Sequence, residues 1–159
     1  DDVAAMADLA RAAAGGNDAR LALRGSSMGG YLALVTAGAI RADAVVAICP
    51  AGPEQLQRGL AEPGRFGFAR DTAALSALLG RHDLHEAVRT LHAPLLLMHA
   101  RGDLQVPVEQ SQELAALAPD GRLVEMPGGH HQSVQHDGEL LGVSVRFLTR
   151  ALRAAAAAA

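Results

Sequence analysis

The residues best suited to chemistry fall in three short clusters. Gly25-Ser26-Ser27-Met28-Gly29 reads G-x-S-x-G, with Ser27 at the central position and Ser26 at the variable one. A serine on a sharp turn between a strand and a helix projects its hydroxyl from the backbone, and flanking glycines let nearby main chain pass without a Cβ clash. At the start of such a helix the Met28 N–H and the positive end of the helix dipole face a developing oxyanion. The second cluster runs from His99 to Pro107 and contains Asp103, a carboxylate able to accept an imidazole N–H and fix its tautomer. The third is Pro127-Gly128-Gly129-His130-His131. It offers a base, which a serine hydroxyl needs at neutral pH. Together the clusters suit acyl transfer.

Such groups need a scaffold that brings distant loops together, and the hydrophobic pattern supplies one. Residues 2–14 read as a helix with Val3, Met6 and Ala13 on one face, stopped by Gly15-Gly16-Asn17. Arg20 to Leu23 reads as a strand entering Gly25, and Met28 to Ile40 as a helix apolar nearly all round. Ala44 to Cys49 is a continuous apolar strand ended by Pro50; residues 51–70, rich in Gly, Pro and Arg, read as loop. Helices are expected near 71–80 and 82–91, then a strand Leu95 to His99, a helix Val108 to Leu117, a strand Leu123 to Met126 and a helix Asp137 to Leu152. This alternation predicts a mostly parallel sheet with helices on both faces, a three-layer αβα domain of the α/β class over residues 1–153. Ligands bind beyond the carboxyl ends of the strands in such sheets, and all three clusters follow a strand. Residues 51–80 are a candidate lid or substrate-binding excursion, in which Phe66 and Phe68 either line an apolar pocket or pin the loop to the core and Arg58, Arg65 and Arg70 read as solvated charges; Ala154 to Ala159 form a low-complexity tail.

Composition narrows the alternatives. The net charge of −3 is spread over interspersed residues and aromatics make up only 3% of the chain, so neither a basic face nor a base-stacking platform for nucleic acid is expected. No apolar run approaches the roughly 20 residues that span a bilayer. A chain with one cysteine, Cys49, forms no internal disulfide and no cysteine-based zinc site; at the end of an apolar strand it reads as an inert buried thiol. His82 and His85, one turn apart, read as a solvated helix face rather than a metal pair, and Tyr31 as a core residue. The chain opens Asp1-Asp2-Val3 with neither methionine nor leader, and a cytoplasmic location is the expectation.

The order Ser, Asp, His, each after a strand, resembles the α/β-hydrolases, near their dienelactone-hydrolase and prolyl-oligopeptidase-like branches. That family often shows His-Gly-x-x-Asp-x-x-Val-Pro around its acid and Pro-Gly-small-x-His around its base. The resemblance implies a catalytic triad of Ser27, Asp103 and His131, with the Met28 N–H as one oxyanion donor and neither cofactor nor metal. Counting from Pro127 selects His131; the form Gly129-His130 keeps His130 as the alternative. Ala100 stands where the family has glycine, and the family's earlier strands and oxyanion loop have no counterpart, so a partial domain is expected. The implied function is a serine hydrolase cleaving an ester, thioester or amide of a small acyl substrate or peptide through an acyl-enzyme on Ser27. The alternative is a non-catalytic module of the same fold that binds a ligand or partner.

Overall fold

The computed structural model describes residues 2–62 and 71–157. Its elements in chain order are α1 (Asp2–Ala13), β1 (Ala22–Ser26), α2 (Met28–Ala37), β2 (Ala44–Ile48), α3 (Pro53–Ala61), α4 (Thr72–Leu79), α5 (Leu84–Arg89), β3 (Leu95–Ala100), α6 (Val108–Leu117), β4 (Gly121–Met126), α7 (Ser133–His136) and α8 (Gly138–Ala157). The four strands form one parallel sheet in the order β1-β2-β3-β4. Every strand therefore delivers its carboxyl end to the same edge, and the turns that follow meet there.

Side chains alternate across the pleat and build two cores. Val45, Ala47, Leu95 and Leu97 face one layer, where Tyr31 and Leu34 of α2, Val88 of α5 and Leu114 of α6 pack against them. Val46, Ile48, Leu96 and Met98 face the other, against Val134 of α7 and Val143, Phe147 and Leu148 of α8. With apolar cover on both faces, β2 and β3 are buried along their whole length, which is why their sequences AVVAI and LLLMHA carry no polar alternation. The three-layer αβα architecture expected from the sequence is the one found.

Local chemistry sets the helix boundaries. Asp83 accepts the N–H groups of His85 (2.8 Å) and Glu86 (3.3 Å) and starts α5; Asp71 does the same for α4 through Ala74 (2.9 Å). The buried Arg11 guanidinium donates to the carbonyls of Ile40 (2.7 Å) and Arg41 (3.1 Å), tying α1 to the turn that ends α2.

Four expectations need correction. Strand β1 extends to Ser26, because Gly25 and Ser26 pair with Ala47 and Ile48 on β2. Helix α2 ends at Ala37, three residues short of Ile40, with Gly38 at its carboxyl cap. The loop expected over 51–70 contains α3: Pro53 occupies its first turn, and Leu56, Gly59 and Leu60 bury a face at helical spacing that the Gly, Pro and Arg content obscures. The short α7 lies within the connection to α8, which itself runs on into the alanine tail. Phe66, Phe68, Arg65 and Arg70 lie outside the described residues; Arg58 is exposed on α3. No helix among the described residues is long and apolar enough to cross a membrane.

Candidate active site

Ser27 sits between the end of β1 and the start of α2 with φ 55° and ψ −118°, a backbone conformation that costs a side-chain-bearing residue about 1–3 kcal/mol. Its surroundings hold it there. The Ser27 N–H donates to Ile48 on β2 (2.9 Å), and its carbonyl accepts from Tyr31 (3.0 Å) and Ala51 (3.2 Å). Gly25 is required by proximity: a Cβ there would lie 2.1 Å from the Gly29 carbonyl oxygen. Gly30 is tight against Pro50, whereas a Cβ on Gly29 would meet open space. The motif's second glycine thus matters through its carbonyl, not its missing side chain. As the first residue of α2, Met28 has no carbonyl one turn back to accept its N–H.

The acid is built at the end of β3. Asp103 is buried, and its Oδ1 accepts the N–H groups of Gln105 (2.8 Å) and Val106 (3.0 Å), while Oδ2 faces Nδ1 of His131 at 2.6 Å. Burial alone would raise the carboxyl pKa. The donors from Val106, His131 and Gln105 together outweigh it and hold the group below the usual aspartate range, so it is ionised. An ionised carboxylate only accepts, so His131 Nδ1 carries the proton; in the neutral imidazole Nε2 is then the nitrogen with a lone pair. The acid and base loops also touch through backbone: a Cβ on Gly102 would lie 2.2 Å from the Gly129 carbonyl oxygen, and Gly129 has φ 81°. Ala100, where glycine was expected, is the last residue of β3, fully buried and paired with Met126.

The two histidines diverge. His131 is buried against Asp103; His130 is exposed, its N–H donating to Ser133 Oγ and its Nδ1 accepting from Gln132. Ser27 and His131 line one cavity of about 210 Å³, with Ser26, Leu56, Val106 and the amides of Gln55, Gln105, Gln132 and Gln135 around them. No carboxylate or guanidinium lines it among the described residues. Among the described residues, Ser27 and His131 share this cavity without a hydrogen bond between their side chains. A larger cleft of about 570 Å³ lies at the opposite, amino-terminal end of the strands, between β4 and α8. Among the described residues no serine, cysteine or histidine lines it.

A second nucleophile type stands close by. Cys49 Sγ, a His99 ring nitrogen and an Asp103 carboxylate oxygen lie within 4.8 Å of one another, all three residues buried. Burial, aided by the Asp103 charge, pushes the thiol pKa up to about 12, and Cys49 does not reach the cavity. It is therefore no nucleophile. His99 and Asp103 already direct these atoms at other partners, which accounts for the cluster without an ion. Tyr31 is fully buried in the core; its hydroxyl has no hydrogen-bond partner among the described residues, and it does not line the cavity. His85 lies half exposed near Asp83 and Glu113, as expected of a solvated face.

The chain was compared with known proteins. No family model matches it. A protein of Yersinia enterocolitica named "Putative carbamate hydrolase RutD" is 36% identical over 75 residues, which is 46% of this chain and 27% of that protein. The esterase domain of a Rhodothermus marinus protein superposes with a TM-score of 0.65 at 26% identity, covering 83% of this chain and 60% of that one. Est1E from Butyrivibrio proteoclasticus, in its structure with ferulic acid bound, gives 0.66 at 22% identity over 85% and 60%. The chain thus spans about three fifths of the length of these esterase structures and about a quarter of the curated relative. A parallel four-stranded sheet between two helical layers, shared with these structures over most of its length, gives this chain the α/β-hydrolase fold.

Proposed function

We propose that the chain carries the catalytic residues of a serine hydrolase, with Ser27 as nucleophile, His131 as base and Asp103 as the acid that orients it. The observation that carries the reading is the buried 2.6 Å contact between His131 Nδ1 and an ionised Asp103, on a histidine that shares its cavity with Ser27. His131 Nε2 takes the proton of the Ser27 hydroxyl as Oγ attacks a carbonyl carbon. The Met28 N–H stabilises the oxyanion, as expected of a donor at a helix start. The imidazolium, held by Asp103, returns the proton to the leaving alcohol, thiol or amine, and water then repeats the cycle to release the acid and regenerate Ser27. Neither cofactor nor metal enters these steps.

The substrate is a small acyl compound or peptide with an ester, thioester or amide bond. An esterase domain and a protein named for carbamate hydrolysis among the similar proteins support a carbonyl substrate, and a cavity lined by neutral amides suits a polar, uncharged one. Hydrolysis of p-nitrophenyl acetate tests the reading. Turnover that disappears in both S27A and H131A while H130A keeps most of it supports the assignment. Turnover that survives S27A removes it, and no turnover in any variant or in the parent favours the non-catalytic module.

A further inference from the structure

His99 belongs to the motif around the acid, yet no step above uses it. It is fully buried near the end of β3, on the face covered by α6. Burial lowers its pKa below the usual histidine value, so the ring is neutral. A buried neutral imidazole needs a partner on each nitrogen. Nε2 lies 3.0 Å from the Val106 carbonyl, which only accepts, so Nε2 carries the proton. Nδ1 is then the acceptor for the Ser111 hydroxyl of α6, 2.7 Å away and also fully buried. The Val106 carbonyl therefore fixes the tautomer, and the Ser111 hydroxyl satisfies the nitrogen left as acceptor.

That tautomer matters for Asp103. Val106 is gripped from two sides: its carbonyl by His99 Nε2, its N–H by Asp103 Oδ1. The same His99 nitrogen lies 3.4 Å from Asp103 Oδ2, the oxygen that faces His131. The loop 101–107 has no regular structure beyond turns, so its conformation rests on such contacts. We propose that His99, its second ring nitrogen satisfied by Ser111, is a positioning residue that holds the 101–107 loop in the conformation in which Asp103 presents Oδ2 to His131. This rests on the reading of Asp103 and His131 given above, and it assigns a role to the buried polar pair His99 and Ser111.

The test uses the full chain and the variants H99Q, H99L and S111A. The first readout is the downfield proton resonance of the short His131 Nδ1–H contact, identified by its loss in D103N. The second is the rate at which a fluorophosphonate labels Ser27. Glutamine places an N–H near the Nε2 position, so H99Q is expected to keep the resonance and label within about threefold of the parent. H99L is expected to lose the resonance and label roughly 10- to 100-fold more slowly, the scale of effect of a misplaced catalytic group. KM for a small ester should stay within twofold, since His99 does not reach the cavity. S111A, which keeps the ring and its Val106 contact but leaves Nδ1 without its buried donor, should broaden the resonance and slow labelling by less. If H99L does not fold cooperatively, S111A carries the test alone. An unchanged resonance with labelling within twofold, in whichever of the two folds, overturns the proposal. So does a parent chain with no downfield resonance. A parent that is not labelled, yet shows a resonance dependent on His99, removes the hydrolase reading and leaves the positioning role standing.

Discussion

Ser27 and Cys49 stand at the ends of adjacent parallel strands. Both follow the last residue of a strand, and both have positive φ, 55° and 41°. Both carry a side chain that serves as a nucleophile in other settings. Their surroundings differ. Ser27 begins a helix, borders the cavity and shares it with His131. Cys49 is fully buried, followed by Pro50, and faces a carboxylate that opposes its ionisation. A strained turn at the carboxyl edge of the sheet is therefore not enough to make a nucleophile. Access and a base on the accessible side decide which residue can react.

The largest effect expected from breaking this comparison is loss of acyl transfer in S27A, by about 10⁴-fold or more, measured as kcat/KM on an activated ester. Adding C49S to S27A should restore nothing, because the new hydroxyl meets neither the cavity nor His131. Next comes D103N, expected to lower kcat by roughly 10⁴-fold, since an amide donating to His131 favours the tautomer that leaves Nε2 protonated.

The strained turn itself is tested on stability. G25A pushes a Cβ into the Gly29 carbonyl and is expected to cost about 3 kcal/mol in urea unfolding. G29A meets open space inside a helix, so it should be neutral or stabilise by up to about 1 kcal/mol. Equal losses from the two would show that the glycines serve φ freedom and not close approach.

A smaller effect concerns pH. His99 has a folded pKa below its unfolded value of about 6.5, so the unfolded chain binds a proton that the folded chain refuses. Its contribution is complete above about pH 6.5 and is lost as pH falls from there toward the folded pKa, by at most about 1.4 kcal/mol per pH unit. Asp103 adds a similar loss only at lower pH, below about 3.8, because its folded pKa is depressed. Urea midpoints between pH 7 and 5 should fall less steeply in H99Q than in the parent. Smallest of all is the reactivity of Cys49. With a thiol pKa of about 12, only about one molecule in 10⁵ is thiolate at pH 7. Iodoacetamide should leave the folded chain intact and alkylate Cys49 rapidly in urea.

Much of this arrangement was legible in the sequence because the sheet is parallel and doubly covered. Continuous apolar runs such as AVVAI marked the buried strands, and parallel strands send their following residues to one edge. The three clusters had to converge once the strands were recognised. Which of the two adjacent histidines meets Asp103 was left open by the Gly129-His130 form; in the structure the one beside it is His131. Helix α3 was hidden because three buried positions, Leu56, Gly59 and Leu60, are diluted by residues that usually mark loops. The exact end of β1 was hidden for a related reason: Gly25 and Ser26 read as turn, yet pairing with β2 keeps them extended. The part played by His99 and Ser111 could not be read at all. Twelve residues separate them, and only the packing of α6 on β3 brings the hydroxyl to the ring.

The central claim is that Ser27, and no other residue at this sheet edge, is the nucleophile. The most direct measurement is intact-mass and peptide mass spectrometry of the chain after treatment with a fluorophosphonate. One adduct, located on Ser27 and absent from S27A and H131A, is the expected result. An adduct on Ser26, Ser133 or Cys49, or labelling that persists without His131, would contradict it.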